Sequence, residues 1–484
     1  MTLNDQSEPS RARMVGLLLG PLVFVAILLL PPPEGLEPAA WRVAAVAALL
    51  AVFWLTEAIP VAATALLPIV LFPVLGVSEV AAATAPYANP IVFLFLGGFL
   101  IALGIERWNL HRRIALNVLL SVGPREDLQI LGFMIATAAL SMWVSNTATV
   151  VMMLPVALSI VPRDASGEID PQRRGFSAAL LLSVAYAANI GGVATLIGTP
   201  PNAFMASFME EVYDVQIGFA QWMLVGLPVS VVMFVICWYL LTRFLHDVQL
   251  RELPGAREKI SATLAEMGPA STMEKRVAVV FAMTAILWIF RPLISDLLPS
   301  LQLSDTGIAM FGALLLFVIP SSQGGSLLTW RYAERLPWGV LLLFGGGLSL
   351  ASAVSGSGLA AWIAASLSAL DTWPIIGIVI AVTLLLIFLT ELTSNIATAT
   401  TFLPLVAALA TGLGQPPLLL VIPAVVATSY AFMMPVATPP NAIVFGSGAI
   451  RMAEMVRAGF ILNLIGSVAI IGIVYLLMNA VFGF

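Results

Sequence analysis

The chain has few cysteines, histidines and charged residues. Of its 484 residues, 10% are charged and 60% are hydrophobic, and the mean hydropathy is +1.02. Soluble domains carry about 25% charged residues, so this composition predicts a polytopic membrane protein. Cys237 is the single cysteine, which excludes an internal disulfide bond. With His111 and His246 as the only histidines, neither a Cys/His metal cluster nor a Ser-His-Asp triad can be assembled, and we do not expect an enzyme.

Apolar runs predict an all-α protein with eleven transmembrane spans. Most of the runs approach the ~20 residues that a helix needs to cross the hydrocarbon core. The predicted spans cover residues 14–30, 41–57, 61–76, 89–106, 175–208, 218–243, 277–294, 304–320, 337–353, 418–449 and 459–480. The first run lacks a small-residue cleavage site at its end, so we interpret it as a retained span and not as a signal peptide.

Two further apolar segments predict re-entrant hairpins. In the first, arms at 128–144 and 148–162 meet at Ser145-Asn146-Thr147. The second covers 374–411 and has Ser394-Asn395-Ile396 at its tip. The basic, amphipathic segment 106–127 predicts a helix in the membrane interface, and a charged loop at 246–276 separates the two halves of the chain.

The distribution of charge orients this map. With the N-terminus in the cytoplasm, all but two of the 21 Lys and Arg residues fall on cytoplasmic segments, as the positive-inside rule requires. The two exceptions are Arg42 and Arg291. The outer loops instead carry Glu34, Glu37, Glu79, Glu210, Glu211, Asp214, Asp296 and Asp371. The C-terminus is then expected outside.

Two motifs recur in the same order in both halves. SNTATVVMMLP at 145–155 matches SNIATATTFLP at 394–404, and GTPPNA at 198–203 matches ATPPNA at 437–442. In the predicted topology the first hairpin enters from the cytoplasm and the second from outside, which makes an inverted repeat. Inverted repeats place substrate and ion sites at the repeat interface near the midplane.

Each Thr-Pro-Pro sequence predicts a break in a transmembrane helix. Adjacent prolines remove two backbone donors and clash with the preceding turn, whereas Thr as N-cap and Pro at the first position favour a new helix start. Together with the two Ser-Asn tips, four helix N-termini converge and form an anion site.

Basic side chains are absent from the stretches that carry most of this site. No Lys, Arg or His occurs between Arg174 and Arg243, or between Arg335 and Arg451. Burying a dianion costs tens of kcal/mol in the idealised limit, whereas a helix N-terminus returns about 0.3–2 kcal/mol and a charged hydrogen bond about 1.5–3 kcal/mol. We infer that co-bound cations supply the missing charge, held by freed carbonyls and by Ser, Thr and Asn oxygens.

Three other features of the sequence are candidates for a functional role. Glu391, three residues before the second tip, is either functional, as a buried acid in a membrane often is, or a hydrogen-bonding group that holds the tip. Glu57 in WLTEAIP is interpreted as structural. The GGG sequence at 345–347 lacks the pattern of a phosphate-binding loop.

These motifs resemble the divalent-anion:sodium symporter family, whose members carry dicarboxylates, citrate or sulfate. The resemblance covers nearly the whole chain and is carried by WLTEAIPVAATALLP (54–68), SNTATVVMMLP (145–155), ANIGGVATLIGTPPNA (188–203), TELTSNIATATTFLP (390–404) and AFMMPVATPPNAIVFGSG (431–448). It implies a homodimer in which a transport domain moves like an elevator against a scaffold.

The resemblance also implies two sodium sites and one substrate site. The sodium sites would use Ser141, Ser145, Asn146 and Gly198, and Thr390, Thr393, Asn395 and Ala437. The substrate would meet Ser145, Asn146, Thr147, Thr199, Pro200, Ser394, Asn395, Thr438 and Pro439. One departure is Ile396, where many members have Thr, so this tip offers the substrate one hydroxyl fewer.

The resemblance also implies how the chain is divided into scaffold and transport domains. Residues 1–127, 209–373 and 450–484 hold spans 1–4 with the interfacial helix, spans 6–9 and span 11, and the first two of these units are mainly scaffold. Residues 128–208 and 374–449 hold the hairpins and broken spans of the transport domain. We expect a multi-pass protein of the cell inner (plasma) membrane, with the bilayer and a small dianion as partners, a homodimeric assembly and no nucleic-acid partner.

The expected function is sodium-coupled symport of a C4-dicarboxylate such as succinate. Alternatives are a sodium-independent dicarboxylate exchanger, or sulfate or citrate as substrate. An intramembrane enzyme would need a nucleophile–base pair or a metal cluster, and neither is visible. A channel would need a continuous polar pore, whereas hairpin tips build a closed site.

Overall fold

The computed structural model describes residues 11–164, 169–322, 324–366 and 372–483. These residues form 23 α-helices and no β-strand, which confirms the all-α prediction. Residues 1–10, which form the N-terminus predicted to be cytoplasmic, lie outside the described residues. Asp371 of the predicted outer loops lies outside them as well.

The helices of the first half include both arms of the first hairpin. They are α1 Arg11–Leu29, α2 Pro38–Thr56, α3 Val61–Thr64, α4 Leu67–Val74, α5 Val80–Thr84, α6 Pro90–Arg107, α7 Leu110–Ser121, α8 Glu126–Ser141, α9 Asn146–Ile160, α10 Arg174–Val193, α11 Pro200–Tyr213 and α12 Phe219–Tyr239. A π-helical turn, Leu240–Leu245, continues α12.

The helices of the second half follow a similar order. They are α13 Ala256–Glu266, α14 Thr272–Leu297, α15 Asp305–Val318, α16 Trp330–Ala333, α17 Trp338–Gly356, α18 Leu359–Ser366, α19 Ile375–Leu389, α20 Asn395–Gly412, α21 Leu418–Ser429, α22 Pro439–Gly446 and α23 Met452–Phe482.

Nine helical segments of the described residues are long and apolar enough to cross a membrane. Eight of them coincide with predicted spans, and the ninth is α20, an arm of the second hairpin. The predicted span 61–76 consists of α3 and α4, with 4 and 8 residues. At about 1.5 Å per residue neither crosses the bilayer alone. Pro68 in the first turn of α4 has no backbone N–H, so α3 cannot run on into α4 unbroken.

Both hairpins form where the sequence predicts them. Helix α8 has 16 residues and α9 has 15, so each arm is about 24 Å long or slightly less, which is shorter than the ~30 Å hydrocarbon core. The Ser145 hydroxyl accepts from the Ala148 backbone N–H at 3.3 Å, and the Ser394 hydroxyl accepts from Ala397 at 3.2 Å. These N-caps start the second arm of each hairpin.

Both Thr-Pro-Pro breaks are also present. Thr199 and Thr438 occupy the N-cap positions of α11 and α22, and both have extended backbone. Only Thr438 makes the side-chain cap bond, accepting from the Asn441 N–H at 3.3 Å. Thr199 occupies the N-cap position but makes no side-chain cap bond.

Each break is held by the Asn of its TPPN motif. The Asn202 amide nitrogen donates to the carbonyl oxygens of Val193 (3.2 Å) and Thr195 (2.8 Å). The Asn441 amide nitrogen donates to those of Ala431 (3.0 Å) and Met434 (3.1 Å). Two buried asparagines at matching positions therefore bond to carbonyls at the two breaks, where the regular helical pattern of hydrogen bonds ends.

Hairpins and broken helices interlock across the two halves. Helices α8 and α9 pack on α10, and α19 and α20 pack on α21. In addition, α9 packs on α22 of the other half, and α20 packs on α11. The two tips and the two breaks therefore share one core.

The glycine triplet 345–347 lies inside α17 and is a packing site. A Cβ on Gly346 would lie 2.2 Å from the Ala65 carbonyl oxygen, and one on Gly347 would lie 2.7 Å from the Phe204 ring. The triplet lets α17 approach α3 on one side and α11 on the other. The interpretation that it is not a phosphate loop is consistent with this position.

A buried ionic cluster anchors the base of the first hairpin. Glu126 and Asp127 are each 1% exposed. Glu126 pairs with Arg173 and Arg251, and Asp127 pairs with Arg243 at 3.0 Å. The sequence did not predict this cluster, because its members are brought together only by the tertiary fold.

Candidate functional site

The first tip gathers oxygen atoms around one side chain. One end of the Asn146 amide lies 2.5 Å from Ser141 Oγ, 3.2 Å from the Ala188 carbonyl oxygen and 3.3 Å from the Gly198 carbonyl oxygen. With the amide oxygen at this end, four oxygens face one another. Freed carbonyls and side-chain oxygens at unwound helices are the groups that hold sodium in membrane proteins. The structure thus brings together Ser141, Asn146 and Gly198, three of the four residues proposed for the first sodium site, and adds Ala188. The hydroxyl of the fourth, Ser145, caps α9 instead.

Glycines make this close approach feasible. A Cβ on Gly192 would lie 2.6 Å from the Asn146 amide, and one on Gly198 would lie 2.3 Å from the Gly192 carbonyl oxygen. Gly191 instead lies against α8, where a Cβ would be 2.3 Å from the Ala138 carbonyl oxygen. The GG pair therefore serves both helix packing and the oxygen cluster.

We expect Gly191→Ala to lower the apparent unfolding temperature of the purified protein. Its Cβ would meet backbone atoms of Ala138, so α8 and α10 must separate, and overpacking costs about 1–3 kcal/mol. The control is Gly377→Ala in α19, an arm of the second hairpin, where a Cβ meets nothing within 4 Å. Thermal unfolding followed by intrinsic fluorescence makes the comparison, and equal unfolding temperatures for the two variants would contradict it.

The second tip has a similar arrangement. The Thr390 hydroxyl donates to Asn395 Oδ1 at 2.8 Å and lies 3.0 Å from the Thr428 carbonyl oxygen. Thr393 and Thr398 hydroxyls lie 2.6 Å apart. Thr390 and Asn395 stand where Ser141 and Asn146 stand in the first half. Ala437, the remaining predicted sodium ligand, is buried in the loop just before Thr438.

Glu391 joins the second tip to the second break. Its carboxylate accepts from the backbone N–H groups of Phe432 (2.7 Å), Met433 (2.9 Å) and Met434 (2.9 Å). The Asn463 amide on α23 donates to it at 2.7 Å. Glu391 is 2% exposed. These contacts match the interpretation of Glu391 as the group that holds the tip.

One buried side chain connects the two halves of the site. Asn189 on α10 is 1% exposed. Its Oδ1 lies 3.4 Å from the Asn146 amide nitrogen, and its own amide nitrogen donates to Thr438 Oγ1 (3.3 Å) and to the Ala431 carbonyl oxygen (3.4 Å). Asn189 thus links the first tip to the cap of α22.

The residues predicted to bind substrate differ in exposure. Ser145, Thr147 and Pro439 are exposed, whereas Thr199 and Thr438 are buried. Pro200, Ser394 and the two tip asparagines, Asn146 and Asn395, are half-buried. Ile396 packs against apolar side chains of the core. None of these residues carries a charge, so hydroxyls, amides and backbone groups make up the predicted site.

A family model for the sodium:sulfate symporter transmembrane region matches residues 11–483. The chain belongs to the sodium:sulfate symporter family. This membership confirms the family resemblance of the motifs. It also agrees with the expectation that the protein is a transporter and not an enzyme.

Two staphylococcal relatives from the same family are similar over nearly their full length. The sodium-dependent dicarboxylate transporter SdcS of Staphylococcus saprophyticus is 43% identical over 480 residues, covering 97% of this chain and 92% of that protein. SdcS of Staphylococcus aureus strain USA300 is 43% identical over 484 residues, covering 98% and 93%.

Two solved structures of membrane transporters share the fold of this chain. Neisseria gonorrhoeae MtrF superposes with a TM-score of 0.53 at 12% identity, covering 97% of this chain and 95% of MtrF. The Alcanivorax borkumensis YdaH transporter gives 0.53 at 14% identity, covering 97% of each chain. At this identity the likeness concerns the fold alone.

Four groups in the candidate site were not predicted from the sequence. They are the Ala188 carbonyl and the side chains of Asn189, Asn202 and Asn441. A signal for the last two was present, since the TPPN motif repeats its Asn together with its prolines. No local signal marks Ala188, which contributes only a backbone oxygen.

Proposed function

We propose that the protein is a secondary active transporter that couples sodium to the uptake of a divalent anion. The substrate class is a C4-dicarboxylate such as succinate. The observation that carries the proposal is the pair of matched oxygen-lined tips, Ser141–Asn146 and Thr390–Asn395, in a site without basic side chains among its named residues. The two SdcS relatives, named as sodium-dependent dicarboxylate transporters, support the same assignment.

The predicted ligands keep their roles in this proposal. The first sodium ion binds at Ser141, Ser145, Asn146 and Gly198, and the second at Thr390, Thr393, Asn395 and Ala437. Both sodium ions travel with the substrate. Their positive charge offsets the dianion, which meets the Ser-Asn tips and the N-termini of α11 and α22.

We also propose an elevator mechanism in a homodimer within the inner membrane, with the N-terminus cytoplasmic and the halves related by an inverted repeat. Helix α12 packs on α8, α10 and α23, as well as on α14. This packing favours grouping α12 and α23 with the hairpins, and therefore a transport domain larger than residues 128–208 and 374–449.

The residues beside the two tips differ in their packing. Trp143, beside the first tip, stacks with Phe219 at 5.9 Å and with Trp288 of α14 at 6.4 Å between ring centroids. Leu392, at the matching place beside the second tip, is 70% exposed. Helix α11 packs on α20 and α21 and also on α6 and α17, whereas its counterpart α22 packs on the equivalent pair, α9 and α10. At the tips themselves the order is reversed, because Ser145 and Thr147 are exposed whereas Ser394 and Ile396 are half-buried.

Proteoliposomes test the function directly. We expect an inward sodium gradient to drive accumulation of labelled succinate, and replacement of sodium by choline to abolish it. Citrate and sulfate are tested as competing substrates in the same vesicles. Transport of sulfate alone would reject the dicarboxylate assignment, and sodium-independent uptake that requires internal succinate would identify an exchanger instead.

A further inference from the structure

We infer that Asn189 is a positioning residue that couples the first sodium site to the substrate. It does so through a hydrogen-bond relay from the Asn146 amide to the Thr438 hydroxyl. This inference rests on the proposed function, because it assumes that the Asn146 cluster binds sodium and that Thr438 meets the substrate.

The relay starts from the two orientations of the Asn146 amide. Without a cation, the nitrogen faces Ser141 Oγ and the carbonyl oxygens of Ala188 and Gly198, and it donates to them. With a cation among these oxygens, the amide must present its oxygen instead, because a donor N–H repels a cation. Gly192 has no Cβ and leaves the space in which this amide turns.

The other end of the Asn146 amide faces Asn189. The two side chains approach to 3.4 Å, between the Asn146 amide nitrogen and Asn189 Oδ1. In the sodium-bound orientation this is a donor–acceptor contact. In the other orientation two amide oxygens face each other in a buried place, where water cannot separate them.

The orientation of the Asn146 amide affects Thr438 through Asn189. When Asn189 Oδ1 accepts from Asn146, its amide nitrogen points to Thr438 Oγ1 at 3.3 Å. Thr438 Oγ1 also accepts from the Asn441 N–H at 3.3 Å, so both of its acceptor positions are used. The hydroxyl hydrogen is then free for a carboxylate oxygen of the substrate.

Reversal of the Asn146 amide works against this arrangement. If Asn189 keeps its orientation, two oxygens repel each other. If Asn189 turns as well, its oxygen attracts the Thr438 hydroxyl hydrogen and withdraws it from the substrate. Either response weakens substrate binding when the first sodium site is empty. The affinity for substrate then depends on sodium, and the affinity for sodium depends on substrate by the same factor.

The second half lacks an equivalent side chain. The offset between the TPPN motifs places Thr428 opposite Asn189, and the Thr428 hydroxyl donates to the Val425 carbonyl oxygen of its own helix at 2.8 Å. The relay therefore runs from the first sodium site alone.

The test is the sodium dependence of succinate binding to the full chain in nanodiscs. Calorimetric titrations with succinate are performed at low and at saturating sodium, with choline keeping the ionic strength constant. We expect sodium to raise the succinate affinity of the wild type, and Asn189→Leu to reduce that enhancement about tenfold, within the usual range of coupling. Sodium alone should still raise the unfolding temperature of Asn189→Leu as in the wild type. A matched control is Ser183→Ala, a buried residue of α10 whose hydroxyl donates to Leu180 of the same helix.

Three outcomes would overturn the relay. The first is full sodium enhancement in Asn189→Leu, and the second is loss of its stabilisation by sodium alone, which indicates a merely structural or ligating role. The third concerns Thr438→Val: if its effect on coupling adds fully to that of Asn189→Leu, the two residues do not act together. If Asn189→Leu does not fold, Asn189→Ala takes its place in the same cycle. A wild type whose succinate binding ignores sodium rejects the proposed function itself, and this is seen before any variant is measured.

Discussion

Glu391→Gln is expected to reduce sodium-driven succinate uptake by more than about 100-fold. The carboxylate receives four donors, from Phe432, Met433, Met434 and the Asn463 side chain. Glutamine replaces one oxygen by an NH₂ group, which then faces backbone N–H groups in a buried place. Breaking a buried charged contact from one side costs about 3–5 kcal/mol, and 1.4 kcal/mol corresponds to about a factor of ten. The second tip and the second break would then separate, although neither residue 390 nor 395 is changed.

Uptake in proteoliposomes and sodium-dependent thermal unfolding check this expectation together. Glu57→Gln is the matched control, because Glu57 is an exposed acid beyond the end of α2 and lies at neither tip nor break. We expect near wild-type uptake from the control. Wild-type uptake by Glu391→Gln would show that hydrogen bonds of the neutral amide suffice to hold the tip.

Asn146→Ala and Asn395→Ala are each expected to abolish concentrative uptake. Asn146 supplies an oxygen to the first cluster, and Asn395 Oδ1 accepts from Thr390 at the second. Each is also the first helical residue after its Ser cap, where its backbone N–H has no partner within its own helix. Removing the amide takes away a proposed sodium ligand at each tip. The measurement is initial uptake rate as a function of sodium concentration.

Asn117→Ala provides the control for both variants. Asn117 is exposed on α7, and its side chain donates to the Arg113 carbonyl oxygen of its own helix at 2.8 Å. We expect its sodium dependence to match the wild type. If Asn146→Ala or Asn395→Ala keeps an unchanged sodium dependence, the corresponding tip is not a sodium site.

Local signals explain what could be predicted from the sequence. The arms predicted at 128–144 and 148–162 correspond to α8 Glu126–Ser141 and α9 Asn146–Ile160. The agreement is close because Ser145 caps a helix and Pro-Pro stops one, and both effects act within a few residues. For the same reason the two breaks lie at Thr199 and Thr438 as expected.

Distant contacts explain what could not be predicted. Asn189 and Thr438 lie 249 residues apart, and Glu126 meets Arg251 across 125 residues. Neither pair has a spacing or a pattern that marks it in one sequence.

The error at predicted span 61–76 has a local cause instead. Hydropathy alone suggested one crossing helix, but Pro68 interrupts the apolar run and the segment forms two short helices.

The asparagines that hold the two breaks have a consequence for the speed of transport. Asn202 and Asn441 hold their loops through hydrogen bonds to backbone carbonyls, so neither loop needs a bound ligand to adopt its conformation. Fixing a free backbone residue costs about 1–2 kcal/mol of conformational entropy, and that cost is met during folding, before any substrate arrives. Binding energy is then not consumed by loop ordering, and release does not require a loop to order again for the next cycle. The loops of both breaks therefore have their shape before sodium and substrate bind.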